Sequence, residues 1–445
     1  MNREENVSIN EVRVYVGQIM KKMYTSPGIS AEDTKAFASL AMGLDCFLKN
    51  IDNKKIASDL LVSELKKMTA GAKEVQDRLD TGTINKQEET ILDKPKLLTE
   101  GGRYIYTGEL LGSGGEGSVY KILGMPGKVA KIYKDNVDLE KKERHIDAFF
   151  QNAVPKQIDN ILIATIPEEK LYLKDGNFIG YIMPQASSQF KIYDVMRESQ
   201  ERAKYFPELD YRGLIVIAYN LAEIVHVLHK HNIVVGDMNM GNISVDTDGT
   251  VCLIDADSFD IKDTKTGERF PCSVGTPELL PPELQGVGKV KGLFTKQSDY
   301  FSLAVIIFRL LMNNADPFGG INFANEISAP MVSVNNPIRN GECPYVKEVP
   351  GTDIPEWVPE FQMLPDKIRG LFSRVFNYSK DDYCETINNR PNAEEWMEAL
   401  MEFYQSSMTC CENDAFHWYL KDIKECPFCK AKKKIKGDWT LTIEI

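Results

Sequence analysis

The stretch VVGDMNMGN, Val234–Asn242, places an Asp and an Asn five residues apart, and thirteen residues after the Asn comes LIDADSF with Asp255. Asp237 is a side chain that can accept or orient a hydroxyl proton. Asn242 and Asp255 offer hard oxygen donors of the kind that hold Mg2+ between phosphate oxygens. Both follow short apolar runs, NIVV and VCLI, that read as strands and would hold the donors rigidly. In isolation Asp237 reads better as a turn residue and Asp255 as a strand-end cap. The rest of the chain has to supply the partners.

Upstream, LGSGGEGSVYKI carries Gly112, Gly114 and Gly117 between two strand-like runs. Glycines there let a backbone approach phosphates without side-chain collision. A loop between strands, not strand to helix, argues against a dinucleotide fold, and an ordinary glycine-rich hairpin has the same composition. Val119 is placed to cover an adenine ring. The next strand, VAKIYK, presents Lys131 to pair with the α- and β-phosphates if a carboxylate holds it. The helical interval DLEKKERHIDAFF offers that carboxylate. Glu143 shares a face with Leu139, Ile146 and Phe150 and should point inward, with Glu140 the alternative.

The 445 residues have room for two or three domains. With 43% hydrophobic and 27% charged residues, a folded chain is expected. No apolar run suggests a membrane span, the start does not read as a signal peptide, and a net charge of −12 argues against a general nucleic-acid or membrane binder. The nine cysteines are odd in number and irregularly spaced, which does not suit a disulfide framework and points to a reducing, cytoplasmic setting.

Residues 1–80 carry helical periodicity without recognisable chemistry, and could meet a partner. Residues 81–102 read as a linker or covering strap. From Tyr104 the runs YIYTGELL, GSVYKIL, KVAKIY, KLYLK and FIGYIM read as strands, and after Pro184 the chain turns helical. Strands followed by helices predict an α+β fold.

The ordered set resembles the eukaryotic-like, Hanks-type protein kinases over about residues 104–404. The resemblance rests on the glycine loop, Lys131, Asp237 with Asn242, and Asp255, then GTPELLPPE, SDYFSLAV, ADPFGG and NNRPNAEEW. It implies a bilobal kinase domain over 103–405, with an N-lobe at 103–184 and a C-lobe at 185–405. It also implies ATP and Mg2+ as cofactors, with Asp237, Lys131 and Glu143 catalytic. Gly112, Gly114, Gly117, Val119, Lys131, Asn242 and Asp255 would bind nucleotide, and Asn242 and Asp255 the metal. Asp299 would support the catalytic loop, and Arg390 would pair with Glu283.

The chain departs from the family pattern at three places. Gly236 replaces the Arg that reads an activation-segment phosphate, Asn239 replaces a Lys, and DAD (Asp255-Ala256-Asp257) replaces DFG. GDMNMGN and DADSF resemble a bacterial subgroup of these kinases. The tail, CCENDAFHWYLKDIKECPFC, suits a structural Zn2+ module over 406–445. Its expected ligands are Cys410, His417, Cys426 and Cys429, with Cys411 the alternative to Cys410. The functional expectation is a Ser/Thr protein kinase acting on a protein substrate. A pseudokinase scaffold is the alternative, and GTPELLPPE counts against a small-molecule kinase.

Overall fold

The computed structural model describes residues 96–286, 292–322 and 335–431. The helical reading of residues 1–80 lies outside them, as do residues 81–95 of the expected linker and most of the lysine run after Cys429.

Six strands close into a barrel: β1 (Lys96–Thr99), β2 (Tyr104–Ser113), β3 (Gly117–Ile122), β4 (Lys128–Tyr133), β5 (Glu169–Tyr172) and β6 (Phe178–Pro184). Their order is β1-β2-β3-β4-β6-β5, and β1 returns to pair with β5 through Leu98–Tyr172 and Thr99–Leu171. The reading of 81–102 as linker is therefore corrected at its end. Leu97 and Thr99 are buried and alternate with half-exposed neighbours, so a segment of only four residues suffices to cover the open sheet edge. Leu97, Ile105, Ile122, Ala130, Leu171 and Ile182 fill the barrel.

Helix α1 (Leu139–Gln151) begins where Asp138 accepts from the Lys141 amide at 3.0 Å, a side-chain cap on an otherwise unpaired donor. Ile146 packs against the barrel strands, and Phe149 joins the larger core beyond Pro184. That core is built on α2 (Tyr211–Lys230), α3 (Lys296–Leu311), α4 (Asp366–Phe376) and α5 (Ala393–Gln405). By length and composition α2 could cross a membrane, yet most of it is buried here as the central helix. Helix α3 is apolar on nearly every face because it is surrounded. Phe301 and Phe308 are fully buried, as are Phe372 and Phe376 of α4 and Trp396 of α5.

The tail forms a hairpin, Met408–Cys411 with Asp414–Leu420, that packs on the same core. Phe428 meets Tyr211 edge-on at 4.9 Å, and Arg212 lies over the rings of both Tyr404 and Trp418.

Candidate active site and metal centre

The glycine-rich turn joins β2 to β3, closed by the Gly114 amide donating to the Gly117 carbonyl at 2.9 Å. A Cβ on Gly117 would lie 2.8 Å from the Ile132 carbonyl, so the fold itself requires glycine there. At Gly112 and Gly114 the space is open. Beneath the turn is a cavity of about 560 Å3. Gly112, Gly114–Gly117, Val119, Lys131, Asp255 and Asp257 line it, together with residues 270–274.

Lys131 is buried on β4 and donates to Asp255 at 2.5 Å and to Asp257 at 2.6 Å. Tyr133, two residues along the same strand face, donates to the other Asp257 oxygen at 2.9 Å. Burial works against the Lys131 charge, but the two aspartates outweigh it and hold the ammonium above the ordinary lysine range. Burial likewise opposes ionisation of Asp257, yet Lys131 and then Lys142 hold its carboxyl far below the usual range. At Asp255, desolvation and then the neighbouring Asp257 charge push the carboxyl up.

The helix carboxylate expected to hold Lys131 is corrected. Glu143 accepts instead from Tyr172 at 2.9 Å and from Lys170 at 3.3 Å. Its face of α1 meets β5, whose Lys170 also pairs with Asp147 at 2.9 Å, one turn further on. Glu140 is exposed. Asp257 takes the place at Lys131, and α1 presents Lys142 to the site. Asp257 was visible in the sequence only as a departure from a motif, and Lys142 gave no signal.

Asp255 adopts a left-handed conformation (φ 64°, ψ 41°), uncommon for a non-glycine residue and of a kind found at functional sites. The hairpin β8 (Ile243–Val245) and β9 (Val251–Leu253), which follows the short strand β7 (Ile233–Val234), pairs Ile243 with Leu253. That register sets Asn242 opposite Ile254, and the Ile254 amide donates to the Asn242 carbonyl at 2.8 Å. Asn242 and Asp255 thus stand at one end of the hairpin. Their amide and carboxylate oxygens, with no sulfur or imidazole among them, fit Mg2+.

Asp237 accepts on Oδ1 from both the Thr276 amide (3.0 Å) and the Thr276 hydroxyl (2.8 Å). The loop before it hangs on Asp299, which is fully buried. That carboxylate accepts from the Val235 amide at 2.7 Å and the Gly236 amide at 2.9 Å, and it lies 2.8 Å from His229 Nε2. Asn239 turns its Oδ1 back to the Gly241 amide at 2.7 Å, so it shapes the loop instead of reaching outward. Gly236 has φ +76°, and a Cβ there would lie 2.8 Å from Cys272 Cβ. The segment after Asp255 crosses where a side chain at 236 would project.

That segment is fastened by neutral contacts and carboxylate pairs. Strand β10 (Asp260–Lys262) pairs with β7 on one side and β11 (Arg269–Phe270) on the other. Arg269 grips Asp260 with two bonds of 2.7 and 3.0 Å, and donates to the Phe294 carbonyl at 2.6 Å. His145 of α1 stacks on Phe270 at 5.0 Å. Further on, Arg390 makes a two-pronged pair with Glu283 at 2.6 and 2.8 Å.

In the tail, Cys411, His417, Cys426 and Cys429 bring their donor atoms within 4.8 Å of one another. Cys411 Sγ lies 3.6 Å from Cys429 Sγ, and His417 Nδ1 lies 3.5 Å from Cys429 and 3.8 Å from Cys426. Such separations match the edges of a tetrahedron around Zn2+. Asp414 sits 3.6 Å from His417 Nε2, on the far side of the ring from the thiols, where a carboxylate orients an imidazole that ligates a metal through Nδ1. The choice of Cys410 is corrected. Its exposed thiol faces the carbonyls of Cys411 and Ala415, and a break in the hairpin register between Cys410 and Cys411 puts the buried Cys411 thiol, not this one, in the cluster.

Residues 105–377 match the protein kinase domain family. The protein kinase YegI of Escherichia coli O157:H7 is 30% identical over 341 residues, 76% of this chain and 50% of that protein. YegI of Escherichia coli K12 is 30% identical over 339 residues, with shares of 75% and 50%. The serine/threonine-protein kinase sck1 of Schizosaccharomyces pombe is 30% identical over 158 residues, 34% of this chain and 21% of that protein. The chain spans about half the length of the bacterial relatives it matches. With well over half of its residues aligned to that family, the chain belongs to the protein kinase domain family.

Proposed function

We propose that this chain is a cytoplasmic Ser/Thr protein kinase that transfers the γ-phosphoryl group of MgATP to a hydroxyl of a protein substrate. The barrel and the helical part act as two lobes of one domain over 103–405, with the cavity between them as the nucleotide site. The observation that carries the reading is convergence. Lys131 from β4, Asp255 at a hairpin end and the glycine turn meet at one cavity, and the support of Asp237 by Thr276 ties the acceptor side to GTPELLPPE.

Lys131 holds the α- and β-phosphates. Asn242 and Asp255 would hold Mg2+, which supplies charge neutralisation at the phosphates when bound. With Oδ1 of Asp237 engaged by Thr276, Oδ2 is the oxygen that orients the acceptor hydroxyl and takes its proton as the new P–O bond forms. The β,γ-bridging bond breaks and its electron pair leaves with ADP. Catalysis of this kind is mostly positioning and charge stabilisation. Cys411, His417, Cys426 and Cys429 hold a structural Zn2+ that has no part in transfer.

Two observations favour a second reading, a nucleotide-binding scaffold without efficient transfer. Lys131 is shared between two aspartates, and Asn239 is turned into its own loop. Incubation with γ-labelled ATP and a generic acceptor protein separates the two. Label transfer by wild type and none by Asp237→Ala supports the kinase. Nucleotide binding without transfer in wild type supports the scaffold.

A further inference from the structure

Lys142 is unused in that reading. Its ammonium lies 2.6 Å from Glu116 Oε2, in the glycine turn, and 3.7 Å from Asp257 Oδ2. Lys131 approaches the same carboxylate through Oδ1. Asp257, 1% exposed and further fixed by Tyr133, is thus flanked by two lysines that both line the cavity. With Asp255 given to the metal, Asp257 is the one fixed anion left to both ammonium groups.

The third anion, Glu116, is held differently. Its side chain is 56% exposed, whereas that of Lys142 is 15% exposed and anchored on a 13-residue helix. An ion pair with one solvated partner on a glycine-rich turn contributes little. A phosphate group carries more charge and more acceptor oxygens than a carboxylate, and would win the contest for a fixed ammonium.

We propose that Lys142 is a second phosphate-binding cation of this site, and that Glu116 is a stand-in anion which the polyphosphate of a nucleoside di- or triphosphate displaces. The inference rests on the nucleotide-site reading above. It gives the helix side of the cleft a positive charge that Asn239 removes from the loop side.

Calorimetric titration with ATP, ADP and adenosine, all with Mg2+, tests it on the full chain. Lys142→Met should weaken ATP and ADP roughly tenfold to a hundredfold, the loss of one charge-assisted contact, while adenosine changes by less than about twofold. Lys142→Arg should recover most of the loss. Glu116→Gln should tighten ATP several-fold by removing the competitor and leave adenosine unchanged. Unchanged ATP affinity in Lys142→Met would overturn the proposal. So would equal losses for ATP and adenosine, which mark a purely structural role, or weaker ATP binding in Glu116→Gln. Wild type that binds no ATP at millimolar concentration would overturn the nucleotide site itself and this proposal with it.

Discussion

The Lys131 ammonium lies 2.6 Å from Asp257, a residue 126 positions further along the chain, while Glu143 of the adjoining helix bonds Tyr172 instead. The distinction has an energetic side. Asp257 is buried and Glu143 is partly solvated. Asp257→Asn strips one counter-charge from two lysines in a low-dielectric site and should cost about 3 kcal/mol, the low end for a broken buried pair because Asp255 remains. Glu143→Gln should cost under about 1 kcal/mol. Urea midpoints at constant m-value give both numbers, and equal losses would refute the assignment.

The metal centre is separable by mutation. Protein purified without added metal should carry close to one zinc, and Cys410→Ser should keep it. Cys411→Ser and Cys426→Ser should lose it, as read by elemental analysis of reduced protein. Cys411, Cys426 and Phe428 belong to the same core as α2. Chelation should therefore lower the melting temperature of the kinase domain itself, not merely free the tail.

Gly236 should be intolerant of any side chain. Its positive φ and the overlap with Cys272 predict a loss of about 2–3 kcal/mol for Gly236→Ala in chemical denaturation. The segment beyond it is held by Arg269–Asp260 and by the β10 pairings, contacts that require no phosphate. Phosphatase treatment of active protein should leave its transfer rate unchanged. A rate abolished by the phosphatase and restored on rephosphorylation would contradict this.

His145 supplies an acid-sensitive contact. Burial, then the Lys142 charge, push its imidazole from 6.5 down to about 4. The folded protein thus resists protonation that the unfolded chain accepts. The resulting stability is complete above 6.5 and is lost as pH falls toward 4. The loss from this group between pH 7 and 5 is about 2 kcal/mol. His145→Phe keeps the stacking on Phe270 and should show a smaller fall in urea midpoint over that interval. Equal falls in both proteins would remove His145 as the cause.

Much of this protein was written in local order. Strand periodicity from Tyr104 to Pro184, the apolar helices at 211–230 and 296–311, and the succession of glycine turn, Lys131, Asp237, Asn242 and Asp255 all depend on neighbours a few residues apart. Such features survive in a linear reading because helix and strand periods impose them on the chain. The pairs Asp299 with the Val235 and Gly236 amides, and Arg390 with Glu283, were legible through motif resemblance.

Tertiary structure decided which charge meets which. Glu143, Lys142 and Glu140 lie within four residues of one another on α1, about 100° apart per residue, and the angle at which the helix rests on the barrel selects the one that enters the cleft. Cys410 and Cys411 are equivalent in sequence, and the break in hairpin register between them leaves only Cys411 in the cluster with His417. The β1 strand looked like linker until the barrel needed a partner for β5. The sequence by itself determined the family, the succession from strands to helices, and the residues Lys131, Asp237, Asn242 and Asp255. The partners were settled only by packing, because a buried charge takes whichever opposite charge the fold brings within about 3 Å, however far away it lies along the chain.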